Sequence, residues 1–142
     1  MVPNFHYKTI EEISGLLLSA KLSVVDLVES QLDRINELDV HLKAYATVMS
    51  HQALKDAKKA DTEISNGNYR GFLHGIPIAV KDLCYTAGVR TMGGSAVFLN
   101  NIPTYDSTVV RLFREAGAII IGKLNLTEGA MSFYNPKFDI PQ

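Results

Sequence analysis

Residues 73–82 read Leu-His-Gly-Ile-Pro-Ile-Ala-Val-Lys-Asp, and the apolar run at residues 75–80 decides the fold. An unbroken apolar run of this length, with glycine before it and charged residues after it, is typical of a strand that a parallel sheet buries on both faces. Pro77 has no N–H to donate to a neighbouring strand. We therefore expect this strand to lie at a sheet edge or to be only partly paired.

A second apolar run occupies residues 118–121, and we interpret Gly122 as the residue that ends this second strand. Between the two runs lies a long connection, residues 83–105, followed by a helix that Asp106 or Ser107 caps. A strand, a helical connection and a second strand predict a βαβ unit with parallel strands. The connection is longer than packing requires, and long loops of this kind are often functional.

Helical periodicity dominates the first half of the chain. Thr9 and Glu12 form a capping box at the start of a short helix. Ser23 opens an amphipathic helix of about four turns. A third helix, predicted over residues 49–64, carries small alanines on one face, and these suit a close approach to another surface.

The sequence pattern changes near residues 67–71, where helical periodicity gives way to apolar strands. We therefore divide the chain into an N-terminal helical segment, residues 1–70, and the start of an incomplete α/β core, residues 71–142. The predicted fold class is α/β: N-terminal helices followed by the first βαβ part of a mixed sheet with helices on both faces.

Composition excludes several classes of function. The 142 residues carry a net charge of −1, which gives no electrostatic reason to expect nucleic acid or an anionic membrane as partner. No apolar run approaches the roughly 20 residues of a transmembrane helix, and the first residues do not resemble a secretory signal. Cys84 is the only cysteine, so an intrachain disulfide is impossible. A reducing, cytoplasmic location is predicted.

The residues that could bind metals or cofactors form no recognisable motif. The four histidines are scattered without ligand spacing, so we predict no metal site. The glycine-bearing residues 91–95 match neither a phosphate-binding nor a dinucleotide-binding loop, and we interpret them as a turn with positive φ. Cys84 is interpreted as a small buried hydrophobe. No cofactor is predicted.

Lys81 stands at the carboxyl end of the first predicted strand, where α/β sheets place their ligands. The residues alone leave two interpretations open. The lysine extends to solvent or pairs with a carboxylate, or it is desolvated, neutral and able to act as a general base.

Several spaced motifs together resemble the amidase signature family, and the resemblance covers nearly the whole chain. The N-terminal half contributes its helices and the short segment Leu-Lys-Ala-Tyr at residues 42–45. The motifs that carry the resemblance are residues 73–82, 86–91, 94–95 and 106–123, with Asn125, Glu128, Asn135 and Pro136.

The resemblance implies a Ser–cis-Ser–Lys triad in which Lys81 is the catalytic lysine. In that family a serine attacks an amide carbonyl, and a second serine relays its proton to the neutral lysine. Backbone N–H groups stabilise the developing oxyanion. The resemblance therefore implies hydrolysis of a small-molecule linear amide.

The family places both serines of the triad after the position of Pro136, and the chain ends at Gln142. Ser95 and Ser132 lie at other positions of the pattern, so neither is assigned to the triad. We expect the chain to be a truncated amidase that is inactive alone.

Two smaller departures, Leu124 and Gly129, occur where the family more often has threonine and an aromatic residue. They affect the expected shape of the substrate pocket. Within residues 129–134, Met131 is the side chain that we predict to line this pocket.

Two hypotheses follow for the function. The chain is part of an amidohydrolase, or it is a stand-alone, non-catalytic remnant that acts as a binding or complementing chain. In either case, two parallel strands would leave open edges and exposed apolar surface. We therefore expect self-association or pairing with the remainder of the enzyme.

Overall fold

A computed structural model describes residues 5–141. Their helices and strands follow one another as α1 (Ile10–Leu18), α2 (Val24–Leu42), β1 (Tyr45–Val48), α3 (Ser50–Ser65), β2 (Pro77–Lys81), α4 (Thr108–Glu115) and β3 (Ile119–Leu124). Short 3₁₀ turns lie at Ala96–Phe98 and Glu128–Ala130.

The predicted helix starts at Thr9 and Ser23 are confirmed, whereas Ser107 stands at the N-cap of α4 without a side-chain capping hydrogen bond. The Thr9 hydroxyl accepts the Glu12 N–H at 3.2 Å, and the Glu12 carboxylate accepts the Thr9 N–H at 2.7 Å, which completes the capping box. The Ser23 hydroxyl accepts the Asp26 N–H at 2.9 Å. These side chains satisfy N–H groups that the first turn of a helix leaves without a backbone partner.

The alanine face of α3 is buried, as the small side chains predicted. Ala53 and Ala57 are fully enclosed, and Ala60 is 3% exposed. They share a core cluster with residues of α1 and α2 and with Ile119 and Ile121 of β3. The helical first half and the strands therefore pack around one common core.

β2 and β3 pair in parallel, with Pro77 opposite Ile119, so the predicted parallel pair is confirmed. In the described chain β2 lies at the sheet edge, as expected for a strand that contains Pro77. The predicted end of the second strand at Gly122 is wrong. β3 continues through Gly122 to Leu124, because the glycine stays in the ladder and pairs with Val48.

β1 is a strand that the sequence analysis did not identify. It runs antiparallel to β3, so the sheet is mixed and has the order β1-β3-β2. Four residues are too few for a clear alternating pattern. The first 70 residues therefore contribute a strand to the sheet as well as helices.

Helices cover both faces of this sheet, as predicted. Ile119 and Ile121 contact the cluster that contains α1, α2 and α3, whereas Ile120 contacts Val110 of α4 in a second cluster. Alternate residues of a strand point to opposite faces, so β3 is buried on both. Within residues 5–141, no helix has the length and apolar character needed to cross a membrane.

Gly122 is expected to be intolerant of any side chain. A Cβ atom built there would lie 2.7 Å from both the Thr47 carbonyl oxygen and the Tyr45 ring. Gly122→Ala should therefore separate β1 from β3 and lower the free energy of unfolding by about 1–3 kcal/mol. Gly15→Ala is the matched control, because nothing lies within 4 Å of its Cβ. It should leave stability unchanged or raise it by up to about 1 kcal/mol. Equal stability of the two variants in chemical denaturation would contradict this account of β1.

Candidate active site

The carboxyl ends of β2 and β3 lie side by side. Lys81, the last residue of β2, is paired in register with Leu124, the last residue of β3. The Lys81 side chain is exposed in this chain, whereas Val80 before it is buried. The Lys81 carbonyl accepts the Cys84 N–H at 2.9 Å, so the backbone turns directly after the lysine. Lys81 therefore stands at the end of a paired strand with its side chain exposed.

Asp82, the next residue, is buried and anchors this turn through three backbone contacts. Its N–H donates to the Leu124 carbonyl at 3.0 Å, and its own carbonyl accepts the Gly93 N–H at 3.0 Å. One carboxylate oxygen, Oδ2, accepts the Met92 N–H at 2.8 Å. Asp82 thus joins the end of β2 to β3 and to the long connection.

Lys123 lies opposite this carboxylate and is fully enclosed. Its Nζ is 3.2 Å from Asp82 Oδ1, and this is an ion-pair contact rather than a well-directed hydrogen bond. Nζ donates its hydrogen bond to Thr91 Oγ1 at 2.7 Å. Burial lowers the pKa of Lys123, and the Asp82 carboxylate opposes that effect. Each charge compensates the other, because either one alone in this position would be costly.

The buried Lys123–Asp82 ion pair was not predicted. Two features of the sequence indicated it: the otherwise apolar strand β3 contains Lys123, and Asp82 directly follows β2. Recognising the pair requires the register of β2 on β3, which places Val80 opposite Lys123. That register is fixed by packing over the whole sheet, so the sequence alone does not show it.

Residues 91–95 form the predicted turn, with φ of +60° at Gly93 and +70° at Gly94. A Cβ atom on Gly94 would lie 2.7 Å from the Leu126 carbonyl oxygen, so only glycine fits this approach. The Ser95 hydroxyl donates to Glu128 Oε1 at 2.5 Å, and the Gly129 N–H donates to the Gly93 carbonyl at 2.8 Å. The turn is thereby fastened to the chain that follows β3.

A cavity of about 290 Å³ opens beside Asp82. The side chains of Leu83, Tyr85, Met92 and Phe98 give it a largely apolar wall. Met131, which we predicted to line the substrate pocket, is not among the residues that line this cavity, and the residue is 95% exposed. The predicted role of Met131 stays a prediction. Cys84 is half-buried rather than enclosed, and it packs against the cluster around Val80.

His74 lies at the opposite, amino-terminal end of β2 and is fully buried. Its Nδ1 accepts the Arg70 N–H at 3.2 Å, and its Nε2 is 3.1 Å from the Glu63 carboxylate. Burial, together with the nearby Arg70 guanidinium, lowers the pKa of His74. This cluster joins α3 to the start of β2 and is separate from Lys81. Among residues 5–141, no three His, Cys, Asp or Glu side chains lie close enough together to hold a metal ion.

Comparison with known proteins identifies the class to which this arrangement belongs. The profile of the family Amidase matches residues 26–137, which is more than half of the chain. The chain belongs to the amidase family. The predicted resemblance to the amidase signature family is thereby confirmed.

Among sequence relatives, AmiD of Mycobacterium tuberculosis, a putative amidase by name, is 47% identical over 132 residues, which are 93% of this chain and 28% of AmiD. One component of the glutamyl-tRNA(Gln) amidotransferase of Desulforapulum autotrophicum is 46% identical over 126 residues, covering 89% of this chain and 26% of that relative. The chain therefore spans between a quarter and a third of the length of these relatives.

Solved structures give the same assignment. The native peptide amidase of Stenotrophomonas maltophilia superposes with a TM-score of 0.84 at 33% identity, covering 88% of this chain and 26% of the peptide amidase. The predicted α/β fold, with helices on both faces of a mixed sheet, is confirmed by this likeness and by the structure itself.

Proposed function

We propose that this chain is the lysine-bearing part of an amidase that hydrolyses the C–N bond of a linear amide. The observation that carries the proposal is the position of Lys81. It is a lysine at the carboxyl end of a strand in the amidase fold, with an open side chain and a backbone held by Asp82. Ligands of α/β sheets bind at such strand ends.

In the proposed mechanism neutral Lys81 is the general base. It accepts the proton that a serine hydroxyl loses, through a second serine, as the first serine attacks the amide carbonyl carbon. Backbone N–H groups hold the oxyanion of the tetrahedral intermediate. When the C–N bond breaks, the same proton passes to the departing nitrogen. Water then releases the acid from the acyl-enzyme. We propose that both serines lie outside these 142 residues.

Two features of the structure support this division of the site. Lys81 is exposed here, although a lysine works as a base only where its surroundings keep it neutral. β2 has one neighbour, β3, among the described strands. Further polypeptide placed along β2 would enclose Lys81 and bring the two serines to it.

A chimera tests the proposal directly. This chain replaces the matching 26% of the Stenotrophomonas maltophilia peptide amidase, and release of ammonia from a peptide amide is measured. We expect the chimera to hydrolyse the amide and the 142-residue chain alone to show no turnover, because a base without a nucleophile has nothing to activate.

The unmodified peptide amidase is the positive control for the assay. Turnover by the purified chain alone would contradict the proposed location of the serines. A chimera with native circular dichroism and no turnover would favour the alternative hypothesis of a non-catalytic binding or complementing chain.

A further inference from the structure

We propose that Lys123 is a positioning residue for Lys81: its pairing with Asp82 compensates the negative charge next to Lys81 and so allows Lys81 to be neutral. This inference rests on the proposed function, because it concerns the same lysine acting as a base. Lys123 itself is not the base in this proposal.

The geometry separates the roles of the two lysines. Lys123 is fully enclosed, and its Nζ already contacts Asp82 and Thr91. A substrate therefore has no path to it through the described chain. Lys81 is open and stands on the neighbouring strand, at the same end of the sheet. Lys81 is therefore placed to take part in the reaction, and Lys123 is placed to support it.

Asp82 connects the two lysines. It follows Lys81 directly, so the two Cα atoms are about 3.8 Å apart. A nearby carboxylate favours the protonated form of a lysine, and this effect is strong where water is excluded. Asp82 is buried, so solvent screens its charge poorly. A protonated lysine cannot accept a proton from serine, so the proposed role of Lys81 requires that the neighbouring Asp82 charge be compensated.

Thr91 fixes the counter-charge in place. Its hydroxyl accepts the hydrogen bond of Lys123 Nζ, and its backbone is held on both sides by Asn101. The Thr91 N–H donates to the Asn101 carbonyl at 3.0 Å, and the Asn101 side-chain amide donates to the Thr91 carbonyl at 2.8 Å. The long connection between β2 and α4 therefore has a function in this proposal, because it aims the ammonium of Lys123 at Asp82.

Other titratable groups lie around the pair and must stay unchanged in any test. Tyr85 and Glu128 line the cavity on one side of Asp82, and Tyr134 and Asp139 line a smaller one on the other. Cys84 lies close to Lys123, and Tyr45 packs over Gly122. None of these groups contributes a positive charge, which leaves Lys123 as the cation nearest to the Asp82 carboxylate in the described chain.

The test measures the pH profile of kcat/KM for three variants of the chimera described above. Lys123→Met leaves the Asp82 charge uncompensated, and the acid limb of the profile should move up by about one pH unit or more. Asp82→Asn removes the charge itself, and the acid limb should stay in place or move down. In the double variant, Asp82→Asn should cancel the upward shift caused by Lys123→Met. Lys55→Met, on the exposed face of α3, is the matched control and should leave the pH profile of kcat/KM unchanged.

The direction of the shifts distinguishes this role from a structural one. If the ion pair only holds the fold together, all three variants lower kcat/KM by a constant factor at every pH, and that result would overturn the proposal. Should Lys123→Met not fold, Lys123→Gln takes its place, because it removes the charge and keeps a hydrogen-bond donor for Thr91. An unmoved acid limb in that variant would overturn the proposal, and so would an upward shift in Asp82→Asn, which carries no carboxylate.

A second measurement keeps this inference separable from the proposed function. Titration of isotopically labelled Lys81 by NMR in the chimera reports its protonation without turnover. An inactive chimera in which Lys123→Met still changes the titration of Lys81 would contradict the proposed function and support the positioning role of Lys123. An active chimera in which Lys81 titrates identically in every variant would contradict the positioning role of Lys123 and leave the proposed function in place.

Discussion

Replacing Lys81 with alanine in the active chimera is expected to lower kcat for amide hydrolysis by about 10²–10⁴-fold or more. Alanine cannot accept the proton that the serine must lose, so the nucleophile remains a weakly reactive hydroxyl. The fold should survive, because the Lys81 side chain is exposed in this chain and makes no described ion pair. Steady-state release of ammonia and far-UV circular dichroism measure the two effects separately.

Lys55→Ala is the matched control for this experiment. It removes the same side chain from an exposed position on α3, away from the strand ends, and should keep full activity. If Lys81→Ala also kept full activity while Lys123→Met lost it, Lys81 would not be the base. The buried lysine would then require a route for substrate that this structure does not contain.

The sequence predicted local structure well wherever one short pattern decides it. Thr9 and Ser23 identified helix starts, because capping depends on residues three apart. The alanines of α3 and the apolar runs identified the elements that meet in the core. β1 was not predicted from the sequence, because a four-residue strand that is held by its pairing with β3 has no periodicity of its own. The same pairing keeps Gly122 inside β3, whereas a glycine read in isolation resembles a strand end.

The candidate site likewise has one part that a local pattern predicts and one part that depends on the assembled sheet. The place of Lys81 followed from one strand and its carboxyl end, so the sequence could supply it. The Lys123–Asp82 ion pair depends on the register between two strands about 40 residues apart, which only the assembled sheet fixes. Charges within apolar strands are rare because burying them is expensive. Lys123 in β3 therefore indicated a buried ion pair, but only the folded sheet identifies Asp82 as its partner.

The 142-residue chain alone is expected to self-associate or aggregate at micromolar concentration. β2 has a free edge in the described chain, and open edges are templates for pairing with another strand. Apolar surface is also open near α4. Between residues 97 and 112 the exposed large side chains are Val97, Phe98, Leu99, Ile102, Tyr105, Val109 and Leu112. Burying a few hundred Å² of such surface is worth several kcal/mol at about 25 cal/mol per Å². That is comparable with the whole stability of a small domain.

Sedimentation velocity at several concentrations measures this association, and a pair of double variants locates it. Val109→Gln with Leu112→Gln changes one exposed face of α4 and should reduce association. Leu18→Gln with Val40→Gln removes two apolar side chains of α1 and α2 that are at least as exposed but lie outside residues 97–112, and it should have little effect. A monomer at all concentrations that unfolds cooperatively would contradict the expectation. Such a monomer would mean that the mixed sheet and its four helices form a closed core, and the stand-alone hypothesis would then gain over the amidase part proposed here.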